Sequence, residues 1–170
     1  YDVKQISLKN AKCFPKADGT GKVNYEIWKT KNVSTAGESD SLHFKLANIL
    51  LNNVEINYRN KEQKIKTNLV IQEMKFTGDF NESKYELSSI GKVYINSISV
   101  DKTNYIRNKN LKMDVEFIVN NNNYLLQKAE LYLNKMQFIL QGDFNYRDSL
   151  TNLKMNYNAK NLDIESVLSL

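Results

Sequence analysis

Strict alternation of apolar and polar residues is the feature that most constrains how this chain can fold. The clearest run contains Leu111, Met113, Val115, Phe117 and Val119, each separated from the next by one residue. Successive side chains of a β-strand point to opposite faces, so a period of two predicts strands with one apolar face. Comparable runs along the chain predict roughly nine to eleven strands of about six to eleven residues.

Helical spacing is rare, and the alternation is interrupted at only a few places. Residues 162–168 fit a short helical turn, and residues 96–109 are ambiguous between helix and strand. The pair Asn52-Asn53 predicts a β-bulge or a tight bend within a strand-like region. The phase of the alternation also changes at Gln72-Glu73.

The amino-acid composition agrees with a sheet that has one solvent-exposed polar face. The chain has ten Tyr and seven Phe, which suit a pleated surface, and its 24 Asn are expected in turns or facing water. The net charge of +5 predicts a lysine-rich soluble surface. Lys61, Lys64 and Lys66 are clustered but have Glu62 among them, so no nucleic-acid partner is expected.

Two internal echoes suggest that strand units are repeated, as in elongated repeat proteins. The wider repeats are predicted at 65–100 and 129–168, within a single β-rich segment, 1–170, of a larger protein. The chain starts inside an alternating pattern, which is why we expect an excised piece. The echoes relate Gly78–Asn81 to Gly142–Asn145, and Ile6–Ala11 to Ile49–Val54.

Residues that could carry chemistry are few. His43 is the only histidine and Cys13 the only cysteine, so the usual zinc ligand sets and catalytic triads cannot be assembled. Asp79 and Asp143 follow glycines, where a turn role is expected. The sequence therefore predicts no catalytic residue, no metal and no cofactor.

The alternating apolar side chains could fill the core of a two-sheet sandwich or line an open trough, and the residues alone leave both arrangements open. A large exposed apolar trough would mark a lipid or protein partner. The candidate lining residues are Leu111, Met113, Val115, Phe117, Leu131, Leu133, Phe138, Leu140, Met155 and Tyr157.

Four segments, taken in order, resemble the AsmA-like family of bacterial envelope proteins: Gly21–Ile27, Leu46–Asn60, Leu131–Phe144 and Asn161–Leu168. The resemblance implies an elongated β-groove related to lipid-transfer proteins and a periplasmic location. It also implies a role in lipid transport and outer-membrane biogenesis. Family members are tethered to the inner membrane by an N-terminal helix, which would lie outside this chain. The family has no catalytic motif to carry over.

These observations together predict an all-β, elongated, curved and mainly antiparallel sheet that forms a half-open groove with little helix. The expected function is non-enzymatic shielding of lipid acyl chains, with a phospholipid or another envelope lipid as partner and with further envelope proteins as additional partners. The alternative is a β-sandwich scaffold or protein-interaction module of the cell envelope. A glycan-processing enzyme and a surface adhesin are weaker alternatives.

Overall fold

The computed structural model describes residues 4–25, 47–78, 84–120, 123–147 and 150–162. These residues form one open, curved, mainly antiparallel sheet, which confirms the predicted all-β fold; no helix is found in the described ranges, and they do not form the two-layer sandwich. The strands are β1 (Gln5–Cys13), β2 (Lys16–Ala17), β3 (Asn48–Asn60), β4 (Ile65–Gly78), β5 (Lys84–Val100), β6 (Thr103–Asn120), β7 (Asn123–Leu133), β8 (Met136–Arg147) and β9 (Leu150–Lys160).

The strand order is simple. Strands β3 to β9 follow one another as an antiparallel meander, and β1 pairs with β3 in parallel. The short strand β2 continues along the same side of β3 after Phe14-Pro15. Proline has no backbone N–H to donate, which suits an interruption of an edge strand. Strands β1 and β9 are the two ends of the strand order.

The similarity between the sequences of residues 6–11 and 49–54 corresponds to a similarity in structure. The two segments lie side by side in parallel register, with Ile6 opposite Ile49 and Ala11 opposite Val54. Asn10 and Asn53 both adopt left-handed backbone conformations, with φ of 53° and 51°. Asn53 Nδ2 donates a hydrogen bond to Asn10 Oδ1 over 2.8 Å. The sequence predicted a bulge or a tight bend at Asn52-Asn53. The structure has a left-handed residue there, which puts both Leu51 and Val54 on one face, and the neighbouring strand has the same irregularity, but the β1–β3 and β3–β4 registers do not shift.

The predicted phase change at Gln72-Glu73 is also confirmed, because the β4–β5 register shifts between Ile71 and Glu73. Gly91 lies opposite Met74 beside this shift. A Cβ added at Gly91 would stand 2.4 Å from the Glu73 carbonyl oxygen, so the two strands approach too closely there for any side chain.

Several sequence expectations differ from the structure. The ambiguous segment 96–109 contains the end of β5, a turn at Asp101-Lys102 and the start of β6. Strands β5 and β6 have 17 and 18 residues, longer than predicted, because bulges absorb the phase changes that looked like strand ends. Gly142–Asn145 lies inside β8. The predicted turn role of Asp143 is wrong, since Asp143 pairs with Leu125 and Lys154.

Other expectations concern residues outside the described ranges. They are His43, Asp79 with the rest of the first Gly-Asp-Phe-Asn copy, and the helical turn expected within 162–168, of which only Leu162 is described.

Cross-strand pairing assembles the alternating residues into one apolar face. Three rows, about 7 Å apart along the strands, run through seven or eight neighbouring strands and define what we call the apolar face. The first row is Ile6, Ile49, Phe76, Ser89, Val115, Ala129, Leu140 and Tyr157; the second is Leu8, Leu51, Met74, Gly91, Met113, Leu131, Phe138 and Ala159; the third is Ala11, Val54, Ile71, Val93, Leu111, Leu133 and Met136.

The core of the protein lies on this one face. Every buried residue in the described ranges occupies a register position on the apolar face, and Val54 and Met136 are each 1 % exposed. Side chains crowd together on the concave side of a bent sheet and spread apart on the convex side. The one-sided burial therefore indicates that the sheet curves towards its apolar face.

The opposite face, which we call the polar face, is held together by polar side chains. Asn96 Nδ2 donates to Asn68 Oδ1, and Asn68 Nδ2 donates to Asn57 Oδ1, each over 2.6 Å. Asn57 Nδ2 in turn donates to Glu55 Oε1 over 2.8 Å, so the chain of bonds crosses three strands. This use of asparagine agrees with the expectation that many of these residues face water.

Candidate functional site

The strand register brings all ten candidate lining residues onto the apolar face. Leu111, Met113 and Val115 on β6 lie opposite Leu133, Leu131 and Ala129 on β7. The row formed by Val115 ends on the last strand, where Leu140 pairs with Tyr157. Three candidates remain. Phe117 on β6 lies opposite Leu126 on β7, Phe138 on β8 lies opposite Leu131 on β7, and Met155 on β9 lies opposite Gly142 on β8.

Solvent exposure divides this face into a covered middle and open edges. Val115 and Leu133 are buried, whereas Met155 and Tyr157 on β9 are 48 % and 78 % exposed. At the other edge, Ile6 on β1 is 48 % exposed. The edges are open because an edge strand has a neighbouring strand on one side only. In the described sheet the most exposed apolar-face side chains thus lie on the two edge strands, and further exposed ones, such as Tyr124 and Phe144, lie towards the strand ends.

The apolar face extends over more strands than the candidate set proposed from the sequence. Val54, Ile71, Met74 and Val93 belong to the same buried cluster as Leu133. Alternation was visible in these strands, but its phase changes at the left-handed Asn53 and at the bulge beside Gln72. Counting residues through those positions assigns the wrong face, so the cross-strand rows could not be aligned from the sequence.

Charge is almost excluded from the apolar face. Lys109, opposite Ile95 and 9 % exposed, is the one charged residue whose register position falls on this face in the described strands. The ion pairs seen between strands lie on the polar face, including Lys92 with Glu73 at 2.6 Å. An apolar ligand on the apolar face would therefore meet little competing charge.

The polar face has well-defined electrostatic contacts. A hydrogen bond from Asn57, then a contact with Lys12, holds the pKa of the Glu55 carboxyl below its ordinary value. A hydrogen bond between Lys128 and Asp114, at 2.8 Å, raises the pKa of the Lys128 ammonium. These are paired strand side chains that stabilise neighbouring strands, as is common on solvent-facing sheets.

The described residues offer little reactive chemistry. No group of three or more His, Cys, Asp or Glu residues is arranged to hold a metal ion within these ranges. Cys13 is a free thiol at the end of β1, packed against the buried cluster beside Ile56. None of the elements in the described part of the chain is a helix long and apolar enough to cross a membrane.

Comparisons with protein-family models, with curated proteins and with solved structures found no match to this chain.

Proposed function

We propose that the apolar face binds lipid acyl chains and shields them from water, without catalysing a reaction. The observation that carries this proposal is the set of three apolar rows in a single open sheet, two of which continue from β1 to β9 and one from β1 to β8. Neighbouring strands are about 4.8 Å apart, so a row that crosses eight strands is about 34 Å wide. The described strands thus form a long apolar groove whose middle is covered by its own side chains and whose edges are open.

The energetics favour a flexible apolar ligand. Each methylene group removed from water contributes about 0.8 kcal/mol to the binding free energy. Several methylenes in contact with the face therefore outweigh the conformational entropy lost when a few rotatable bonds of the ligand are fixed. Met113, Met155 and Phe138 have side chains that adapt to different ligand shapes. Binding of this kind needs no specific polar partner along the chain of the ligand.

We further propose that the chain is a periplasmic segment of an AsmA-like protein, tethered to the inner membrane by a helix outside this sequence. The segments that resemble this family and the groove-like sheet support that assignment. Its partners would then be phospholipids or other envelope lipids, with further envelope proteins as additional partners. In this role the protein would contribute to lipid transport and to outer-membrane biogenesis.

A matched pair of substitutions tests lipid binding. Met155 on the apolar face is 48 % exposed, and Ile90, which pairs with Lys75 and Asp114 on the polar face, is 54 % exposed. We expect Met155→Asp to weaken binding of a fluorescent fatty acid at least about tenfold, because a carboxylate is costly to bury beside acyl carbons. Ile90→Asp should leave binding unchanged. Equal effects of the two substitutions would contradict the proposal.

A protein-interaction role is the second candidate, and the last strand in the sheet order supports it. Leu153, Met155 and Tyr157 on β9 are 60 %, 48 % and 78 % exposed. An edge strand can pair with a strand from another protein through its free backbone groups. Native mass spectrometry of the purified protein separates the two functions. Bound lipid supports the first, whereas a lipid-free protein with a stably bound polypeptide supports the second.

A further inference from the structure

A small hairpin, residues 17–23, follows β2 beside the end of β3. Ala17 and Val23 form an antiparallel bridge, and Asp18 N donates to Lys22 O over 2.9 Å. Asp18 Oδ1 accepts hydrogen bonds from Thr20 N, Thr20 Oγ1 and Lys22 N at 2.8, 2.7 and 3.0 Å. The pKa of Asp18 is lowered chiefly by the Thr20 hydroxyl. The hairpin is therefore a well-ordered turn whose carboxylate is occupied by its own loop.

Four cationic residues line a depression beside this hairpin. They are Lys16, Lys22, Arg59 and Lys61, and the depression, of about 540 Å³, is also lined by Ala17, Asp18, Val23 and Asn24. The cationic residues come from two segments that are about 40 residues apart in sequence. Backbone hydrogen bonds connect these segments, including one from Lys61 N to Ala17 O at 3.0 Å. The sequence alone gave no basic patch, because only the fold brings these segments together.

The depression lies at the end of the sheet where β3 and β5 finish. This end, which we call the basic end, comprises residues 14–25, 57–68 and 96–108. It holds eight Lys and Arg against three Asp and Glu, a formal charge of +5. The rest of the sequence has sixteen of each sign, so its formal charges cancel. Such an asymmetry attracts anions and orients the molecule.

We propose that the depression at the basic end binds the phosphate of an anionic lipid headgroup at a membrane surface. Lysine ammonium groups and an arginine guanidinium are the side chains that recognise phosphate. Anionic membranes attract clustered cations in the same way. This inference rests on the proposed function. Lys16 and Arg59 pair on the polar face at this end of the sheet, so the site would hold the headgroup at the membrane surface while the acyl chains lie on the apolar face.

Lys22→Gln combined with Lys61→Gln tests the site. Both side chains are exposed in turns, and the hydrogen bonds described above use only their backbone atoms. The matched control is Lys75→Gln with Lys154→Gln, which removes the same charge from exposed strand positions elsewhere. Binding is measured by co-sedimentation with phosphatidylcholine vesicles with and without phosphatidylglycerol. Titration with inorganic phosphate distinguishes a free anion from a headgroup.

We expect the site variant to bind phosphatidylglycerol vesicles about 30-fold more weakly. Each lysine near an anionic surface contributes about 1 kcal/mol to binding, and the loss of two such contributions corresponds to this factor. The control variant should change less than about threefold, and inorganic phosphate should compete only weakly. Equal losses in both variants, or tight phosphate binding without vesicle binding, would overturn the proposal. Fatty-acid binding by the site variant is measured separately. If the variant still binds fatty acid normally while its vesicle binding is lost, the headgroup site and the acyl-binding face are separate sites, and each proposal can be contradicted without the other.

Discussion

The core lies on one face of a single sheet. Two Met→Ala substitutions on that face are therefore expected to lower the free energy of unfolding by very different amounts. Met136 at the start of β8 is 1 % exposed, and Met155 on β9 is 48 % exposed, although both lie on the apolar face. Met136→Ala removes a fully covered side chain and leaves a cavity, which costs about 3 kcal/mol. Met155→Ala loses only about half of a transfer free energy, or about 1 kcal/mol.

Urea unfolding followed by circular dichroism measures this difference. With an m-value of about 2 kcal/mol per molar, the midpoint should fall by about 1.5 M for Met136→Ala and by about 0.5 M for Met155→Ala. The m-values should be unchanged, because the same surface is exposed on unfolding. Similar midpoints for the two variants would refute the claim that one curved face buries a core.

Three further predictions concern the backbone and the polar face. Gly142→Ala should destabilise the protein by about 1–3 kcal/mol by thermal melting, since the new Cβ would stand 2.3 Å from a β9 carbonyl oxygen, whereas Gly19→Ala, with nothing within 4 Å, should be nearly neutral. Asn53→Ala should cost about 1–2 kcal/mol in a urea titration, because its φ of 51° is left-handed, and Asn53→Gly should cost less. The lowered pKa of Glu55 means that its stabilising effect is present above the ordinary value of 4.5 and is lost as pH falls through the folded-state pKa. Glu55→Gln should therefore show a smaller loss of stability between pH 6 and pH 3 than the unsubstituted protein, and an unchanged loss would contradict the assignment.

The alternation of side chains was sufficient to predict the fold class and the common face of the candidate residues. A period of two is a direct consequence of strand geometry, so runs such as Leu111–Val119 could be interpreted without any long-range information. An irregularity at Asn52-Asn53 could also be predicted, because asparagine tolerates the left-handed conformation that Asn53 adopts.

The remaining features depend on pairing between distant segments. The parallel pairing of β1 with β3 depends on a connection of more than 30 residues, which the local pattern does not specify. Strand lengths were underestimated because a bulge and a strand end both interrupt alternation. The basic depression escaped notice for the same reason, since Lys22 and Lys61 approach only after that pairing forms.

The most direct test of the central claim is site-resolved photo-crosslinking with a photoactivatable fatty acid, followed by peptide mass spectrometry. If acyl chains bind the apolar face, adducts form on apolar-face residues such as Met113, Leu131 and Met155, and none form on Ile90 or Tyr132 of the polar face. Adducts distributed equally over the two faces, or confined to the polar face, would contradict it.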